Sequence, residues 1–555
     1  MTRFAKTLSV FLALALVALG LAACGGSQAP ISTGSSNPGG AATPAAGTEK
    51  GIIIRMEPET GTLDPAGNSS TTYWNYSAYA LAPLVELASD GSYDFIIAES
   101  CDINEDNTVF TFHFREGAAW SDGSPCTPAD YINTMQRALD PACGSGYSDF
   151  LFKIKNGKAI YEGSADISTL GVEAPDDKTL VITLEEPCQY FLDLLFLPVF
   201  YPSHAELATE TNGDWCFDPA RSVANGPFYL AEYVPEQYIL LKKNPYYVQK
   251  DRISLDYIKL LAIADTQSAI SAYKTGEVDL TGADYTVLAE YEGKGDLVVL
   301  PGMTTYYTLL NWDREPLSNP LVREALSLAI DRDAIAASAG KGSYEPTSFF
   351  VAKYMTSKLT GQGKKWGEEV DPLVTLNIER AQQLLAEAGF PNGEGFPELS
   401  FKYPAMEVEA AIAQSLQAQW KQNLGIMVSL ESQEYQVNIS DRRAGDFDIC
   451  RMRWTADYAD PTTFLSMYTG SASYNDSGVA SAKYEELLAL SERESDPAKR
   501  FQILHDAEKA LVAEDFAFIP TLAGIGVTLR NPKIGNIVIN PSRNSPFYKY
   551  ATLAD

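Results

Sequence analysis

The chain has 555 residues, 45% of them hydrophobic and 11% aromatic, which is enough apolar surface for two or three globular lobes. Its 42 basic residues face 72 acidic ones, a formal net charge of −30 at pH 7, so the surface repels nucleic acid and anionic lipid headgroups. These counts exclude a disordered polymer and a nucleic-acid-binding protein, and any membrane attachment needs a device other than charge.

Arg3 and Lys6 precede a nearly unbroken apolar run over residues 10–23. The run is shorter than the roughly 20 residues a helix needs to span a bilayer, so residues 1–23 read as a signal peptide. It ends in Leu21-Ala22-Ala23-Cys24-Gly25. This resembles the lipobox of bacterial lipoproteins, where small residues admit the signal peptidase and the cysteine sulfur carries diacylglycerol; an ordinary secretory signal with a chance cysteine is the alternative. The resemblance implies lipidation of Cys24 and a multi-chain anchor in the bilayer, at the outer face of the bacterial cell membrane. Residues 25–48 are almost wholly Gly, Ser, Ala, Pro and Thr, so 24–49 forms a lipidated cysteine and a flexible linker.

The folded part opens with a β-branched strand over 51–55 and a turn over 59–65. An aromatic-rich strand follows over 108–114, then a tight turn at 121–124. Thr127-Pro128-Ala129-Asp130 sets a cap, a proline at the first helical position and an acid near the unpaired N–H groups, which predicts a helix to Leu139. Further strands are expected over 180–184, 238–242 and 257–263. Asn319 caps a helix over 320–330, and a helix over 378–388 stops at Gly389 with Pro391 beyond. A helix over 408–422, a strand over 426–430 and a long helix over 497–514 complete an alternating α/β half. The chain has seven cysteines; beyond Cys24, Cys101, Cys126, Cys143, Cys188, Cys216 and Cys450 permit up to three disulfides or stand as buried thiols.

Several blocks together carry a resemblance. They are Leu63-Asp64-Pro65, Ala98-Glu99-Ser100 through Asp130 with Thr111-Phe112-His113-Phe114-Arg115-Glu116-Gly117 and Trp120-Ser121-Asp122-Gly123-Ser124-Pro125, Asn225-Gly226-Pro227-Phe228, Asn244-Pro245-Tyr246-Tyr247, Val322-Arg323 to Asp331-Arg332, and residues 454–461. In this order they resemble the oligopeptide- and dipeptide-binding proteins of bacterial ABC importers, the family 5 solute-binding proteins, over about residues 52–550. The resemblance implies an α/β, two-lobe periplasmic-binding-protein-like fold of the class II, or cluster C, type with an extra domain inserted in lobe I. Lobe I is then expected over 50–82, 206–307 and 524–555, the insertion over 83–205, and lobe II over 308–523. It also implies an extracytoplasmic monomer that passes short peptides to an ABC permease and ATPase. The charged block around Asp122 has the spacing of a strand, turn and helix, and reads as structural.

A carrier of many peptides must hold what they share: the ammonium, the backbone and the carboxylate. Asp457 matches the family position that holds the ammonium, and Asp460 is its competitor, although Asp460-Pro461 reads as a turn. Arg451 matches an arginine that meets the carboxylate of a short peptide; with Arg453 on the same face, the alternative is a solvated patch. Tyr147, Tyr435, Trp454 and Thr455 match cleft positions, and Ser69 and Thr71 fall on a segment that pairs with the peptide backbone. Glu409 replaces a histidine, Gly340 replaces a lysine, and Thr304 and Thr455 replace a cysteine pair of one branch, so carboxylate recognition for longer peptides is expected to differ.

The three histidines, His113, His204 and His505, fall in unrelated contexts, and GxSxG, HExxH, P-loop and CxxC patterns do not occur. The expectation is a binding protein without catalytic residues, metal or cofactor. Rival readings are a secreted hydrolase, the same fold with a nickel chelate, sugar or opine, and a peptide-sensing receptor.

Overall fold

The computed structural model describes residues 49–554 apart from 59–61, 68–75, 78, 89–91, 212–213, 341, 356–364, 369, 371, 471, 473 and 541–544. The expected signal peptide, Cys24 and linker therefore lie outside the described residues, as do Ser69 and Thr71. An 11-stranded mixed sheet runs through the described chain in the order Val428–Gln433, Leu399–Pro404, Ile449–Thr455, Leu297–Leu310, Phe518–Arg530, Leu280–Ala283, Gly51–Met56, Tyr257–Ala262, Tyr238–Lys243 and Phe228–Val234, with Tyr344–Pro346 paired off this path. The first strand, Ile-rich and stiff at χ1, lies parallel to Tyr257–Ala262 in a six-residue register.

Hydrophobic residues collect in separate cores. One joins residues from Ile52 to Leu280 with Ile534, Tyr548, Tyr550 and Ala551. Two others lie within 303–522, on opposite faces of the sheet. Side chains alternate along a strand, so Leu297–Leu310 serves both: Met303, Tyr307 and Leu309 enter one core, Tyr306 and Leu310 the other. This is a two-lobe α/β fold.

A four-stranded antiparallel sheet, Ala98–Ile103, Val109–Phe114, Thr179–Thr183 and Val172–Asp176, sits within the first body. The motif residues around it act structurally. Asp130 closes a capping box on Thr127 and accepts from Trp120 Nε1 at 3.3 Å and Ala205 N at 3.0 Å. Asp122 only fastens its own turn, accepting from Ser124 N at 2.9 Å and Ser124 Oγ at 2.6 Å. Buried Asn225 exchanges hydrogen bonds with the backbone of Ala82, and Asn244 holds the carbonyls of Ala224 and Gly226. Gly226 lies so close to Ala80 that a Cβ would come within 2.6 Å of its carbonyl carbon. Cys101, Cys126, Cys143, Cys188, Cys216 and Cys450 are all free thiols.

Element ends follow local chemistry closely. Pro128–Ala138, Pro320–Leu328 and Ile378–Glu387 start and stop within two residues of their expected bounds, the last ahead of Gly389 at φ +98°. Two expectations shift: the strand after the 407–424 helix begins at Val428 rather than 426, and the last long helix is α-helical over Pro497–Lys509 and then widens to a π-turn over Ala510–Glu514.

The two bodies share the ladder between Leu297–Leu310 and Phe518–Arg530. Its register breaks between Pro301 and Thr305, where the partners advance only from Ile525 to Ala523, so the first strand bulges and bends there. Gly302 fills the bulge against Gly524; a Cβ at 302 would stand 2.4 Å from the Gly524 carbonyl oxygen. Gly302→Ala must push the two backbones apart and is expected to destabilise the protein by about 1–3 kcal/mol, read as a lower midpoint in denaturant unfolding.

Candidate ligand-binding cleft

The strand Ile449–Thr455 leads from core to surface. Ile449, Cys450, Arg451 and Met452 are buried, Arg453 and Trp454 are half-buried, and Thr455 is exposed. Thr455 Oγ1 lies 2.8 Å from Thr304 Oγ1 across the ladder, so a hydrogen bond joins the two strands where they reach the surface.

The loop beyond carries two acids with different fates. Asp460 is 3% exposed and takes both guanidinium prongs of Arg500, at 2.6 Å and 3.0 Å, while its Oδ1 also accepts from Thr462 N and Oγ1. A carboxylate with its lone pairs so occupied is part of the core. Asp457 is half-buried, and its backbone is pinned by Thr463 Oγ1 at 3.0 Å. Of the two competitors, Asp457 is half-buried and Asp460 is enclosed.

The opposing wall comes from the first body. Tyr147 caps the short helix Ser148–Lys153 and packs on Phe150 at 6.0 Å. Phe150 meets Tyr458 edge-on at 5.8 Å, and Tyr458 stacks on Tyr190 at 5.7 Å with the rings 3° from parallel. Tyr458 is 2% exposed and belongs to the first body's core although it follows Asp457 in sequence. Lys153 Nζ bonds Glu492 Oε1 at 2.6 Å, and Arg500 lies over the Tyr190 ring at 5.2 Å. The two walls therefore touch beside Asp457.

Asp149 on that wall was not singled out by sequence. Asp149 is exposed to solvent, with neighbouring protein around its carboxyl. Burial pushes its carboxyl up to about 6, the charge of Asp457 pushes the same way, and the N–H groups of Asp149 and Phe150 oppose the rise. Tyr474 stands with them: burial, then the charges of Asp457 and Asp149, hold its hydroxyl above the usual range. The Tyr474 ring packs edge-on against Trp454 at 4.9 Å, and Trp454 Nε1 is buried without a partner. The only sequence signal for Asp149 was its place two residues after Tyr147.

The other face of the strand differs from expectation. Arg451 is 1% exposed; its Nε donates to Glu409 Oε2 at 3.0 Å and its Nη1 to Thr308 Oγ1 at 2.6 Å, while Nη2 is buried without a partner. Glu409 is 2% exposed. Arg451 is thus sealed into an ion pair beneath the strand instead of lying on the cleft surface, because Glu409 supplies the countercharge. Arg453, nearer the surface, is half-buried; it donates weakly to Met406 Sδ at 3.8 Å, hydrogen-bonds Tyr306, and has Glu409 and Tyr435 within electrostatic reach. Tyr435 opens the helix Tyr435–Arg443 and is 46% exposed.

The three histidines lie in three places. His113 meets Asp102 at 2.9 Å on the four-stranded sheet, His204 packs on Trp120 at 5.4 Å, and His505 stacks on Trp366 at 4.0 Å. Among the described residues no group of His, Cys, Asp and Glu could hold a metal ion. Arg451→Ala would strand Glu409 as a buried unpaired charge and is expected to cost about 3–5 kcal/mol, whereas Arg451→Met with Glu409→Leu should cost far less; denaturant unfolding of the two variants checks this.

The chain matches the family model of bacterial extracellular solute-binding proteins, family 5 (middle), over residues 96–476. It is 31% identical over 496 residues to the periplasmic oligopeptide-binding protein OppA of Escherichia coli (strain K12), covering 88% of this chain and 90% of that one. It is 29% identical over 495 residues to the dipeptide-binding protein DppE of Bacillus subtilis (strain 168), covering 89% and 90%. Its structure superposes on that of a periplasmic oligopeptide-binding protein of an oligopeptide ABC transporter (OppAIV) from Borrelia burgdorferi with a TM-score of 0.77 and 30% identity, covering 91% of this chain and all of that one. The chain belongs to the family 5 extracytoplasmic solute-binding proteins.

Proposed function

We propose that this protein is the substrate-binding lipoprotein of a peptide ABC importer, closing around short peptides and presenting them to a permease and ATPase. The observation that carries the reading is the corner where Asp457, beside Trp454 and Tyr474, meets Asp149 of the short helix that follows Tyr147. A compact cation such as a peptide ammonium is attracted by two carboxylates and by aromatic faces at once. The relatives whose names specify dipeptide or oligopeptide binding support a peptide as the guest.

In this reading Asp457 binds the ammonium, Trp454, Tyr147 and Tyr435 line the guest, Thr455 borders the corner, and Ser69 and Thr71 offer backbone pairing. The lobes meet near 307–308 and 523–524, at the bulged ladder, and residues 83–205 form the insertion. Diacylglycerol on Cys24 and the linker to residue 49 tether a monomeric binding body outside the cell; the protein carries its guest without transforming it.

Asp457→Asn is expected to weaken peptide binding by about 2–5 kcal/mol in calorimetric titration while the melting temperature of the empty protein hardly moves. N-acetylation of the peptide should cost as much in the parent protein. Equal affinities in either comparison overturn the reading.

Affinity should also depend on pH. The guest's ammonium favours ionised Asp149, whose carboxyl in the empty cleft titrates at about 6. Above that pH the charge is already present. Below it binding must release a proton, so affinity falls by up to roughly tenfold per pH unit between about 6 and 4. Titrations across pH 4–8 check the slope, and Asp149→Asn should flatten it.

A further inference from the structure

We infer that Asp149 selects the guest's first side chain, and that the preferred guests are peptides whose first residue is basic, carrying a side-chain cation beside the terminal ammonium. This deepens the peptide reading above and rests on Asp457 as the ammonium site.

The corner holds more negative charge than one ammonium can answer. Phe150 packs edge-on against Tyr458 at 5.8 Å, and these rings hold their chain neighbours Asp149 and Asp457 at one junction of the two walls. The two carboxylates act on each other, and Tyr474 feels the charge of both. The bases nearby are already committed: Lys153 to Glu492, Arg500 to Asp460, and Arg442 to Asp476, with Arg443 acting on the same acid. Asp149 is met by N–H groups alone, its own and that of Phe150, and among the described residues no basic side chain pairs with it. Asp460, three residues from Asp457, shows the contrast: an acid used for structure here carries both prongs of a guanidinium. A like-charge pair left without a cation costs free energy and adds nothing to either core, so the missing cation is one that arrives with the guest. Trp454 and Tyr474, edge-on at 4.9 Å, set aromatic faces beside the same corner, which attract a cation as well.

Position then selects the residue. In an extended peptide the ammonium and the first side chain leave the same Cα, the second side chain points to the opposite side, and the third begins about 7 Å further along. With the ammonium on Asp457, only a cation on the first residue stays at the corner that Asp149 shares. A lysine or arginine stem carries its charge several ångström from Cα, so one residue presents two separate cations to two carboxylates on facing walls. An acidic first residue would instead bring a third negative charge to the same place.

The test uses the full chain freed of co-purified guest, titrated calorimetrically at a pH of about 8, where Asp149 is ionised in the empty cleft. The probes are tri-alanine, its N-acetyl form, and the same tripeptide with lysine, norleucine or glutamate in first place or lysine in second or third. In the parent protein first-place lysine should bind roughly tenfold tighter than norleucine, which has the same carbon stem without the charge, and first-place glutamate should bind weakest. Lysine in second or third place should bring a smaller gain. Asp149→Asn should make first-place lysine and norleucine bind alike, and Asp149→Glu should keep most of the preference; unchanged melting temperatures show that both variants fold. A lysine preference that survives Asp149→Asn, or that is as large in second place as in first, overturns the inference and leaves the ammonium reading standing. Acetylated and free tri-alanine binding alike would instead sink the ammonium reading beneath it.

Discussion

The bulged ladder between Leu297–Leu310 and Phe518–Arg530 is the constraint on which the rest depends. The cores on either side are built from different stretches of chain, and these two strands contribute to both ends. Val527 and Leu529 pack with Ile270 and Tyr291 at one end, while Phe518, Ile519 and Leu522 enter the cores at the other. Backbone pairing on both sides of the bulge keeps the connection continuous, and the glycine contact at 302 and 524 lets it bend without a side chain in the way. A joint of this kind moves two rigid bodies while leaving each core intact.

The acids and bases of this region divide into those buried in ion pairs and those nearer the surface. Asp460 and Glu409 are both buried, and each is matched by an arginine, Arg500 and Arg451. Removing either partner would leave a bare charge in a dry place, so these pairs are fixed. Asp457, Asp149 and Arg453 lie nearer the surface.

Much of the fold was legible because its signals are local. Thr127-Pro128 with Asp130, Asn319-Pro320 and the Gly389 stop each act within a single turn, and the observed helices obey them. The strand Leu297–Leu310 was not foreseen, since Pro301-Gly302 reads as a turn; pairing on both flanks overrides that local signal and turns it into a bulge. The burial of Arg451 was illegible for a related reason. Its partner Glu409 lies 42 residues away on the helix Glu407–Leu424, and no periodicity joins them. Asp149 belongs to the same class: its significance comes from Asp457 and Tyr474, which only the folded chain brings near.

The contact of Tyr458 with Tyr190 and of Lys153 with Glu492 has an energetic meaning of its own. These groups join the two walls through the protein's own side chains, so part of what holds the walls together is intrinsic to the protein. A guest then needs to supply only the remainder, which raises apparent affinity by removing part of the conformational penalty. The same stickiness opposes reopening, and release of cargo falls to whatever partner can prise the two walls apart.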